Sequence, residues 1–236
     1  MEKHTVQADK IRSMFAKVAP SYDAGNQILS MGVHHLWRKK LVKISRAKAG
    51  EAVLDCATGT GDLAIEFKKA VGPTGQVVGT DFCAEMLVPA PAKARERGLD
   101  IKFEEADVTK LPYADASFDI VSISFGIRNV ENPLKGLSEM ARVLKPGGRL
   151  LVLEFGKVRL PVFAQIYNFY SENILPKLGG LVSGQTEAYE YLQKSSAAFP
   201  SREDFLALME KTGQLKNMRY SSLTGGIAYI YDAEKK

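Results

Sequence analysis

The sequence predicts an α/β fold in which a doubly wound parallel sheet carries helices on both faces. From Gly50 onward, strand-like apolar runs alternate with helix-like segments, and units of this length require right-handed crossovers between parallel strands. Three of the strand-like runs lead into an aspartate, at Asp55, Asp81 and Asp107. Ligands of such folds bind at the carboxyl ends of the strands, so we expect the three aspartates in one crevice.

The predicted strands are short, and their composition indicates how deeply each one lies. Phe118 to Phe125 is almost wholly apolar or small, as a strand buried on both faces should be. Two runs near the C-terminus flank Gly225-Gly226 and predict a hairpin. In chain order the predicted strands are Ala52 to Ala57, Gln76 to Asp81, Ile101 to Asp107, Phe118 to Phe125, Arg149 to Phe155, Asn217 to Leu223 and Ile227 to Tyr231.

Helices are predicted between these strands from apolar residues at helical spacing. Pro89 and Pro91 fall inside one of them, so we expect a kink or a late start there. The run Lys145-Pro146-Gly147-Gly148 predicts a turn that separates a helix from the fifth strand. The predicted helices of this part are Asp62 to Ala70, Ala84 to Arg97, Leu134 to Leu144 and Arg202 to Lys211.

Residues 1–49 predict a helical cap that belongs to the same domain as residues 50–236. Val6 to Val18 has apolar residues at helical spacing, and Pro20 ends this pattern. Leu36 to Ile44 is a second amphipathic segment, with basic residues on its polar face. Between them, Ser21 to Asn26 is polar and predicts a loop that holds a tyrosine and an aspartate.

An apolar insert, residues 157–200, interrupts the strand–helix rhythm. Its most apolar part, Leu160 to Val182, contains several aromatic residues and few charges. Two interpretations stay open for it. One is a pair of core helices packed on the sheet. The other is an apolar lid over a hydrophobic substrate, because the segment follows the carboxyl end of a strand.

The composition is that of an ordinary globular protein, with 236 residues, 45% of them hydrophobic, and a formal net charge of +5. The basic residues are not clustered, so we expect no nucleic-acid partner. Cys56 and Cys83 are too few for a disulfide framework and lack metal-site spacing, and we predict no metal. With no visible signal peptide or membrane-spanning run, we expect a cytoplasmic protein with peripheral contact to an anionic membrane surface.

The strongest signal for a ligand is the loop after the first predicted strand. Gly59 and Gly61 have the spacing of a dinucleotide site, and Asp81 lies about 20 residues further on, as in such sites. However, Asp55 precedes this loop and Asp62 follows it, and both carboxylates would repel a pyrophosphate. S-adenosylmethionine is cationic and has no phosphate. The loop therefore favours S-adenosylmethionine over a dinucleotide.

Asp81 and Asp107 complete this interpretation. Asp81 would accept hydrogen bonds from both ribose hydroxyls, and Asp107 would accept one from the adenine amino group. The alternative is that the aspartates only cap strand–helix turns, which aspartate does well. Three of them at successive strand ends favour a nucleoside-type cofactor.

Longer motifs extend over nearly the whole chain. In the N-terminal part they are Phe15-x-x-Val18-Ala19-x-x-Tyr22-Asp23-x-x-Asn26, Leu29-Ser30-x-Gly32-x-His34 and Trp37-Arg38. Further on they are Leu54-Asp55-Cys56-Ala57-Thr58-Gly59-Thr60-Gly61-Asp62, Gly79-Thr80-Asp81-Phe82, Ser122-Ile123-Ser124-Phe125-Gly126-Ile127-Arg128-Asn129-Val130, Leu153-Glu154-Phe155 and Leu223-Thr224-Gly225-Gly226-Ile227-Ala228. With these motifs the chain resembles the demethylmenaquinone and ubiquinone C-methyltransferase family, which methylates polyprenylated quinols on a ring carbon.

The resemblance implies a Rossmann-like class I methyltransferase fold, with a seven-stranded, mostly parallel sheet and an antiparallel C-terminal hairpin. Residues 50–236 would form the methyltransferase domain, with S-adenosylmethionine as cofactor. The predicted cofactor-binding residues are Asp55, Thr58, Gly59, Gly61, Asp81, Phe82, Asp107, Val108 and Ser124. The chain departs from the family at Leu87 to Ala92, where an uninterrupted helix is usual.

The acceptor would be activated by loss of a ring hydroxyl proton. Arg128 follows the fourth strand, where its fixed charge would stabilise the resulting phenolate, unless it pairs with Glu131 at the surface. Asn129 would orient the ring oxygen or a water, and Tyr22 and Asp23 would complete a proton relay, unless Tyr22 only packs in its loop. For His34, a role as general base and a role in capping or packing both stay open, and Trp37 is predicted to be core.

We predict the conversion of demethylmenaquinol to menaquinol, with 2-methoxy-6-polyprenyl-1,4-benzoquinol of ubiquinone biosynthesis as the alternative acceptor. A methyltransferase of another small acceptor, such as a phenol or a sterol, would use the same fold. A non-catalytic module that binds S-adenosylmethionine and a nicotinamide-dependent oxidoreductase are weaker alternatives. We allow for a homodimer.

Overall fold

The computed structural model describes residues 8–158, 165, 170 and 184–236. Seven strands in these residues form one sheet, in the order β3-β2-β1-β4-β5-β7-β6 when they are numbered along the chain. The strands are β1 (Ala52–Cys56), β2 (Gln76–Asp81), β3 (Lys102–Glu105), β4 (Phe118–Ser124), β5 (Leu144–Phe155), β6 (Leu215–Leu223) and β7 (Ala228–Lys235).

The direction of the strands confirms the predicted fold class. β1 to β5 run parallel to one another, whereas β7 runs antiparallel to both β5 and β6. The chain order reverses at β1, which pairs with β2 on one side and with β4 on the other. A crevice at the carboxyl ends of β1 and β4 is therefore the position at which this fold binds ligands.

The helices of the described residues are α1 (Ala8–Val18), α2 (Tyr22–Leu29), α3 (Val33–Ser45), α4 (Asp62–Val71), α5 (Ala84–Leu87), α6 (Ala90–Arg95), α7 (Pro133–Val143), α8 (Thr186–Ala198) and α9 (Glu203–Glu210). The break between α5 and α6 confirms the irregularity expected from Pro89 and Pro91. None of the described helices is long and apolar enough to cross a membrane. The Leu160 to Val182 segment lies outside the described residues, apart from Gln165 and Tyr170.

The prediction of a loop over Ser21 to Asn26 is wrong, because α2 begins at Tyr22. A short 3-10 helix, Ala19–Ser21, leads into it and accommodates Pro20 in its first turn, where a missing N–H costs little. Tertiary packing fixes α2 in spite of its polar composition. A Cβ on the buried Gly25 would lie only 2.6 Å from the Tyr189 hydroxyl of α8, so the two helices approach closely.

The helix does end just before Lys145 to Gly148, as predicted, but these residues belong to β5 and do not form a turn that precedes it. Pairing with β4 moves from Phe118 opposite Leu144 to Ile120 opposite Arg149, so the residues between form an irregularity in the ladder. Gly147 has a φ of 76°, which a glycine adopts without strain. The glycines therefore bend a continuing strand.

The sheet separates two apolar clusters. One contains buried residues of α7, α9 and one face of the sheet, including Leu137 and Phe205. The other contains Trp37 and Leu41 of α3, residues of α4 and the opposite face. Trp37 is buried, as predicted, and its indole N–H donates to the Thr224 hydroxyl at 2.9 Å. The packing of α3 on the sheet brings the N-terminal helices to its carboxyl edge.

Candidate active site

The glycine loop between β1 and α4 has the tight geometry that its sequence predicts. Gly59 and Gly61 have φ values of 55° and 84°, and Ala57 before them also has a positive φ, of 48°. A Cβ on Gly61 would lie 3.0 Å from atoms of Ala90 and Phe103. Glycine is favoured at that position, because a side chain would be strained by the backbone conformation and crowded by Ala90 and Phe103.

Asp55, in the strand β1 that precedes this loop, stabilises the loop by hydrogen bonding. Its buried carboxylate accepts hydrogen bonds from the Thr58 and Ser122 hydroxyls, each at 2.7 Å. Burial raises the pKa of Asp55 to about 6, although both hydrogen bonds oppose this rise. Asp55 and Thr58 are thus bonded to each other, and neither lines the cavities described below.

Asp81, at the end of β2, is buried but faces a cavity. Its carboxylate accepts hydrogen bonds from the backbone N–H groups of Gly59 at 2.9 Å and Cys83 at 3.0 Å. Burial raises its pKa to about 6. Asp107 lies two residues after β3 and accepts from the backbone N–H and the hydroxyl of Thr109, each at 2.8 Å.

The first cavity has a volume of about 120 Å³ and lies at the carboxyl ends of these strands. Its described lining contains three carboxylates, of Asp81, Asp107 and Glu131, and no basic side chain. The hydroxyl of Ser124 is buried there without a hydrogen-bond partner. Acidic groups, a free hydroxyl and the absence of a cation for phosphate all fit S-adenosylmethionine, and we call this space the cofactor cavity.

Six of the nine predicted cofactor residues line the cofactor cavity, namely Gly59, Asp81, Phe82, Asp107, Val108 and Ser124. The other three, Asp55, Thr58 and Gly61, lie in or beneath the loop that shapes it. The expectation that Asp62 faces the ligand is wrong. Its carboxylate forms ion pairs with Arg38 at 2.7 Å and Lys93 at 2.5 Å, which compensate its charge.

A second cavity, of about 490 Å³, adjoins the first, because Phe15, Tyr22 and Phe125 line both. Its described lining is mostly apolar and aromatic, with contributions from α1, α2, α3, α8 and the ends of β4 and β5. Its charged members are Arg38 and Arg128, and no aspartate or glutamate is among the described lining residues. We call this space the acceptor cavity, since it suits an apolar molecule with a developing negative charge.

Arg128 is buried, with 6% of its surface exposed, and lines the acceptor cavity. Its Nη1 donates to Glu154 Oε1 at 2.8 Å and to the carbonyl oxygen of Phe125 at 2.6 Å. The guanidinium carbon lies 5.4 Å from the centre of the Phe155 ring. The alternative in which Arg128 pairs with Glu131 is therefore wrong, since Glu154 of β5 is its ion-pair partner.

Asn129 connects the two cavities by hydrogen bonds. Its Oδ1 accepts from the Tyr191 hydroxyl at 3.0 Å, and its Nδ2 donates to the carbonyl oxygen of Phe125 at 3.4 Å. Asn129 lines the cofactor cavity, whereas Tyr191 of α8 lines the acceptor cavity. Phe125 has a φ of 56°, so its backbone is strained where both Arg128 and Asn129 bind its carbonyl.

Tyr22 and Asp23 are neighbours in sequence but occupy different surroundings. Tyr22 lies in the wall shared by the two cavities, and burial raises its pKa although Arg38 and Arg128 oppose the rise. Asp23 lines neither cavity. It is exposed and accepts hydrogen bonds from the Thr60 hydroxyl at 2.6 Å and the Lys93 ammonium group at 2.8 Å.

His34 lines the acceptor cavity and contacts the Ser30 hydroxyl through Nδ1. Burial, assisted by Arg38, lowers the pKa of His34 to about 4, so the ring is neutral at pH 7. Potential ligand atoms of His34, His35 and Asp62 lie within 4.8 Å of one another. We propose no metal there, because Arg38 and Lys93 already occupy the Asp62 carboxylate.

Several site residues were not predicted, and most of them depend on long-range placement. Tyr191 and Tyr189 come from the insert and reach the acceptor cavity through α8. Met86 and Glu131 line the cofactor cavity. For Glu154 the sequence did contain a signal, since it is the one charged residue in the otherwise apolar run Leu150 to Phe155 and belongs to the motif Leu153-Glu154-Phe155.

The seven-stranded sheet has the Rossmann-like fold of class I methyltransferases, and comparison with solved structures agrees with this fold. A SAM-dependent methyltransferase from Aquifex aeolicus superposes with a TM-score of 0.63 at 22% identity, over 84% of this chain and 89% of that one. The [4+2]-cyclase SpnF superposes with a TM-score of 0.64 at 18% identity, over 97% and 96%. Because a cyclase shares it, the fold alone does not fix the reaction.

Sequence comparison is more specific. Residues 3–235 match the model of the ubiE/COQ5 methyltransferase family, and the chain belongs to that family. It is 70% identical, over the full length of both chains, to the ubiquinone/menaquinone biosynthesis C-methyltransferase UbiE of Bdellovibrio bacteriovorus. It is 45% identical to the demethylmenaquinone methyltransferase of Deinococcus radiodurans, over 96% of this chain and 92% of the relative. The resemblance drawn from the sequence motifs is confirmed.

Proposed function

We propose that the protein transfers a methyl group from S-adenosylmethionine to a ring carbon of a polyprenylated quinol, with demethylmenaquinol as acceptor and menaquinol as product. The names of its relatives support this reaction. The observation that carries it is the pair of adjoining cavities. An acidic cavity suits a cationic cofactor, and an apolar cavity with Arg128 suits a quinol that becomes an anion.

When bound, S-adenosylmethionine supplies the methyl group as an electrophile and keeps the electron pair of the broken C–S bond. We assign Asp81 to the ribose hydroxyls and Asp107 to the adenine amino group. Ser124, whose hydroxyl is otherwise unpaired, would donate a hydrogen bond to the cofactor. Asp55 and Thr58 would act indirectly, by holding the glycine loop in shape.

On the acceptor side, Arg128 would stabilise the phenolate that forms when a ring hydroxyl loses its proton. The activated ring carbon forms the new C–C bond and then loses its hydrogen as a proton, and the phenolate regains one. The net result is the release of one proton. Asn129 would orient the ring oxygen or a water that accepts a proton, and Tyr22 lies in the shared wall, where it can contact both reactants.

Asp23 would support this machinery from outside the cavities. Through its hydrogen bond to Thr60 it ties α2 to the glycine loop, and through Lys93 it is linked to Asp62. We therefore propose that Asp23 positions Tyr22 and takes no direct part in proton transfer.

We further propose that the protein binds the anionic inner face of the cytoplasmic membrane and that the acceptor enters from there. An entry patch, formed by Ile28, Met31, Leu36, Lys39, Lys40 and Lys43, supports this. Its three apolar side chains are 49%, 84% and 64% exposed, and Met31 also lines the acceptor cavity. The chain has no acidic residue between Asp23 and Glu51. Exposed apolar and basic side chains together suit an anionic lipid surface.

Vesicle binding tests the entry patch. The variant Met31→Ser/Leu36→Ser should lose most of its sedimentation with phosphatidylglycerol-containing vesicles. The variant Val88→Ser, which removes an exposed apolar side chain outside the patch, should bind like the wild type. Equal binding by all three proteins would contradict the proposal. Gel filtration of the same samples would test the homodimer that we allowed for.

The reaction itself is tested by transfer of labelled methyl from S-adenosylmethionine to reduced demethylmenaquinone. We expect a methylated naphthoquinol, formed faster than the product from 2-methoxy-6-polyprenyl-1,4-benzoquinol. A preference for the benzoquinol would move the protein's role to ubiquinone biosynthesis. Cofactor binding without transfer to either quinol would overturn the proposed function.

A further inference from the structure

Glu154 is the most deeply buried charged group next to the acceptor cavity. It lies near the end of β5, and only 1% of its surface is exposed. Its Oε1 accepts from Arg128 Nη1 and from the backbone N–H of Phe155, each at 2.8 Å. Its Oε2 accepts from the backbone N–H of Arg128 at 3.4 Å. Glu154 lines neither cavity, so it would not touch a ligand there and would act by holding Arg128 and by its own electric field.

The cation that faces the acceptor is thus half of a buried ion pair. A carboxylate at 2.8 Å cancels much of the field that the guanidinium would otherwise exert on a nearby hydroxyl. The same carboxylate keeps the guanidinium from turning, since it binds both the side chain and the backbone of Arg128.

Other titratable groups surround this pair from several elements. Tyr22 of α2, Tyr191 of α8 and Tyr231 of β7 interact electrostatically with Arg128 or Glu154, and His34 and Arg38 of α3 line the same cavity as Arg128. Burial raises the pKa of each of these tyrosines and lowers that of His34, so all four are neutral at pH 7. Arg38 is paired with Asp62. Among the described residues, Glu154 is the carboxylate that directly contacts Arg128.

We propose that Glu154 is a positioning residue that fixes Arg128 and sets how strongly Arg128 acidifies the acceptor hydroxyl. This rests on the proposed function, because it assumes an acceptor that must lose a proton. With Glu154 neutralised, Arg128 exerts its full charge on the acceptor. The bound hydroxyl then ionises at lower pH, and the rate at low pH rises relative to the rate at the plateau.

The test is the pH dependence of single-turnover methyl transfer by Glu154→Gln, with saturating cofactor and quinol. Glutamine keeps an oxygen for the Arg128 hydrogen bond but removes the charge. The acid limb of the profile should move to lower pH by about one unit. An unchanged limb with a lower plateau would show that Glu154 only supports the fold and would overturn the proposal.

Glu154→Gln leaves Arg128 as a buried cation without a counter-charge, which destabilises the fold. Two further variants therefore accompany it. Glu154→Asp keeps the charge and shortens the reach, so it should lower the plateau rate and leave the acid limb in place. A plateau equal to that of the wild type would overturn the positioning role even if Glu154→Gln does not fold.

Asp232→Asn is the matched control, since Asp232 is a buried carboxylate that pairs with Arg149 and Arg219. It should not move the limb.

The wild-type assay separates this inference from the proposed function. No transfer to any quinol by the wild type would remove the proposed function, and the inference with it. Normal wild-type transfer with identical acid limbs in the wild type and Glu154→Gln would remove only the inference.

Discussion

The two cavities share a wall of Phe15, Tyr22 and Phe125, yet their linings have opposite chemistry. The cofactor cavity has three carboxylates and no cation among its described lining residues, whereas the acceptor cavity has two arginines and no carboxylate. The cofactor cavity therefore suits a cation, whereas the acceptor cavity offers guanidinium donors to a developing anion even though each arginine also has a carboxylate partner outside the lining.

The two cavities also differ in the part of the chain that builds them. The cofactor cavity is built mainly by residues that directly follow β1 to β4, so its geometry is set by the sheet. The acceptor cavity is built mainly by α1, α2, α3 and α8, which pack over the sheet's edge. The proposed assignment of the two cavities therefore places cofactor and acceptor binding in different parts of the chain, and we expect a substitution to be able to disable one without the other.

The largest expected effect is on the acceptor side. Arg128→Gln should lower the rate of methyl transfer by about 10²- to 10³-fold, because the phenolate loses its fixed cation. The affinity for S-adenosylhomocysteine, measured by calorimetry, should stay within about twofold of the wild type, because Arg128 does not line the cofactor cavity. Arg142→Gln is the control, since Arg142 pairs with Glu139 and Asp115 and lines neither cavity. A parallel loss of cofactor affinity in Arg128→Gln would contradict the assignment of Arg128 to the acceptor cavity alone.

A substitution in the cofactor cavity should have the opposite effect. Asp81→Ala removes a carboxylate proposed to bind the ribose and also releases the backbone N–H of Gly59. The affinity for S-adenosylhomocysteine should fall by about 2 kcal/mol, roughly 30-fold, as for a lost hydrogen bond to a charged group. Binding of a quinone analogue should persist. Loss of that binding would contradict the independence of the two cavities.

A smaller effect is expected from pH. Burial raises the pKa of Asp81 to about 6, and the ionised carboxylate is the form that accepts hydrogen bonds from hydroxyls. Affinity for S-adenosylhomocysteine should therefore be constant above pH 7, weaken as the pH falls through 6 and be about tenfold lower at pH 5. Calorimetry at several pH values checks this. Asp81→Asn should show a flatter profile, and a profile as steep as that of the wild type would rule out Asp81 as the titrating group.

The smallest expected effect tests the hydrogen bond between the cavities. Tyr191→Phe removes the donor to Asn129 Oδ1 and keeps the aromatic wall. The rate of transfer should fall about threefold, as expected for the loss of one neutral hydrogen bond, with cofactor affinity unchanged. Tyr220→Phe, which removes an exposed hydroxyl bonded to Glu203, should leave the rate unchanged. An equal fall in both variants would show that Tyr191 has no particular role.

The different origins of the two cavities in the chain explain which parts of the fold and of the site could be predicted from the sequence. Asp81, Asp107 and the glycine loop were predictable because each lies at or within two residues of the carboxyl end of a strand, where local pattern and sheet topology together place them. Ser21 to Asn26 was wrongly expected to be a loop, because its helical state depends on Gly25 packing against Tyr189. The partner of Arg128 lies 26 residues away and that of Asn129 lies 62 residues away. Local composition cannot reveal such pairs.

The most direct test of the two-cavity account uses Trp37, which is the only tryptophan in the chain and lines the acceptor cavity. A short-chain naphthoquinone is titrated while the tryptophan fluorescence is recorded, with and without saturating S-adenosylhomocysteine. We expect saturable quenching of Trp37 that S-adenosylhomocysteine does not displace, because the two ligands are proposed to occupy adjoining but separate cavities. Absent quenching, or competition between the two ligands, would contradict it.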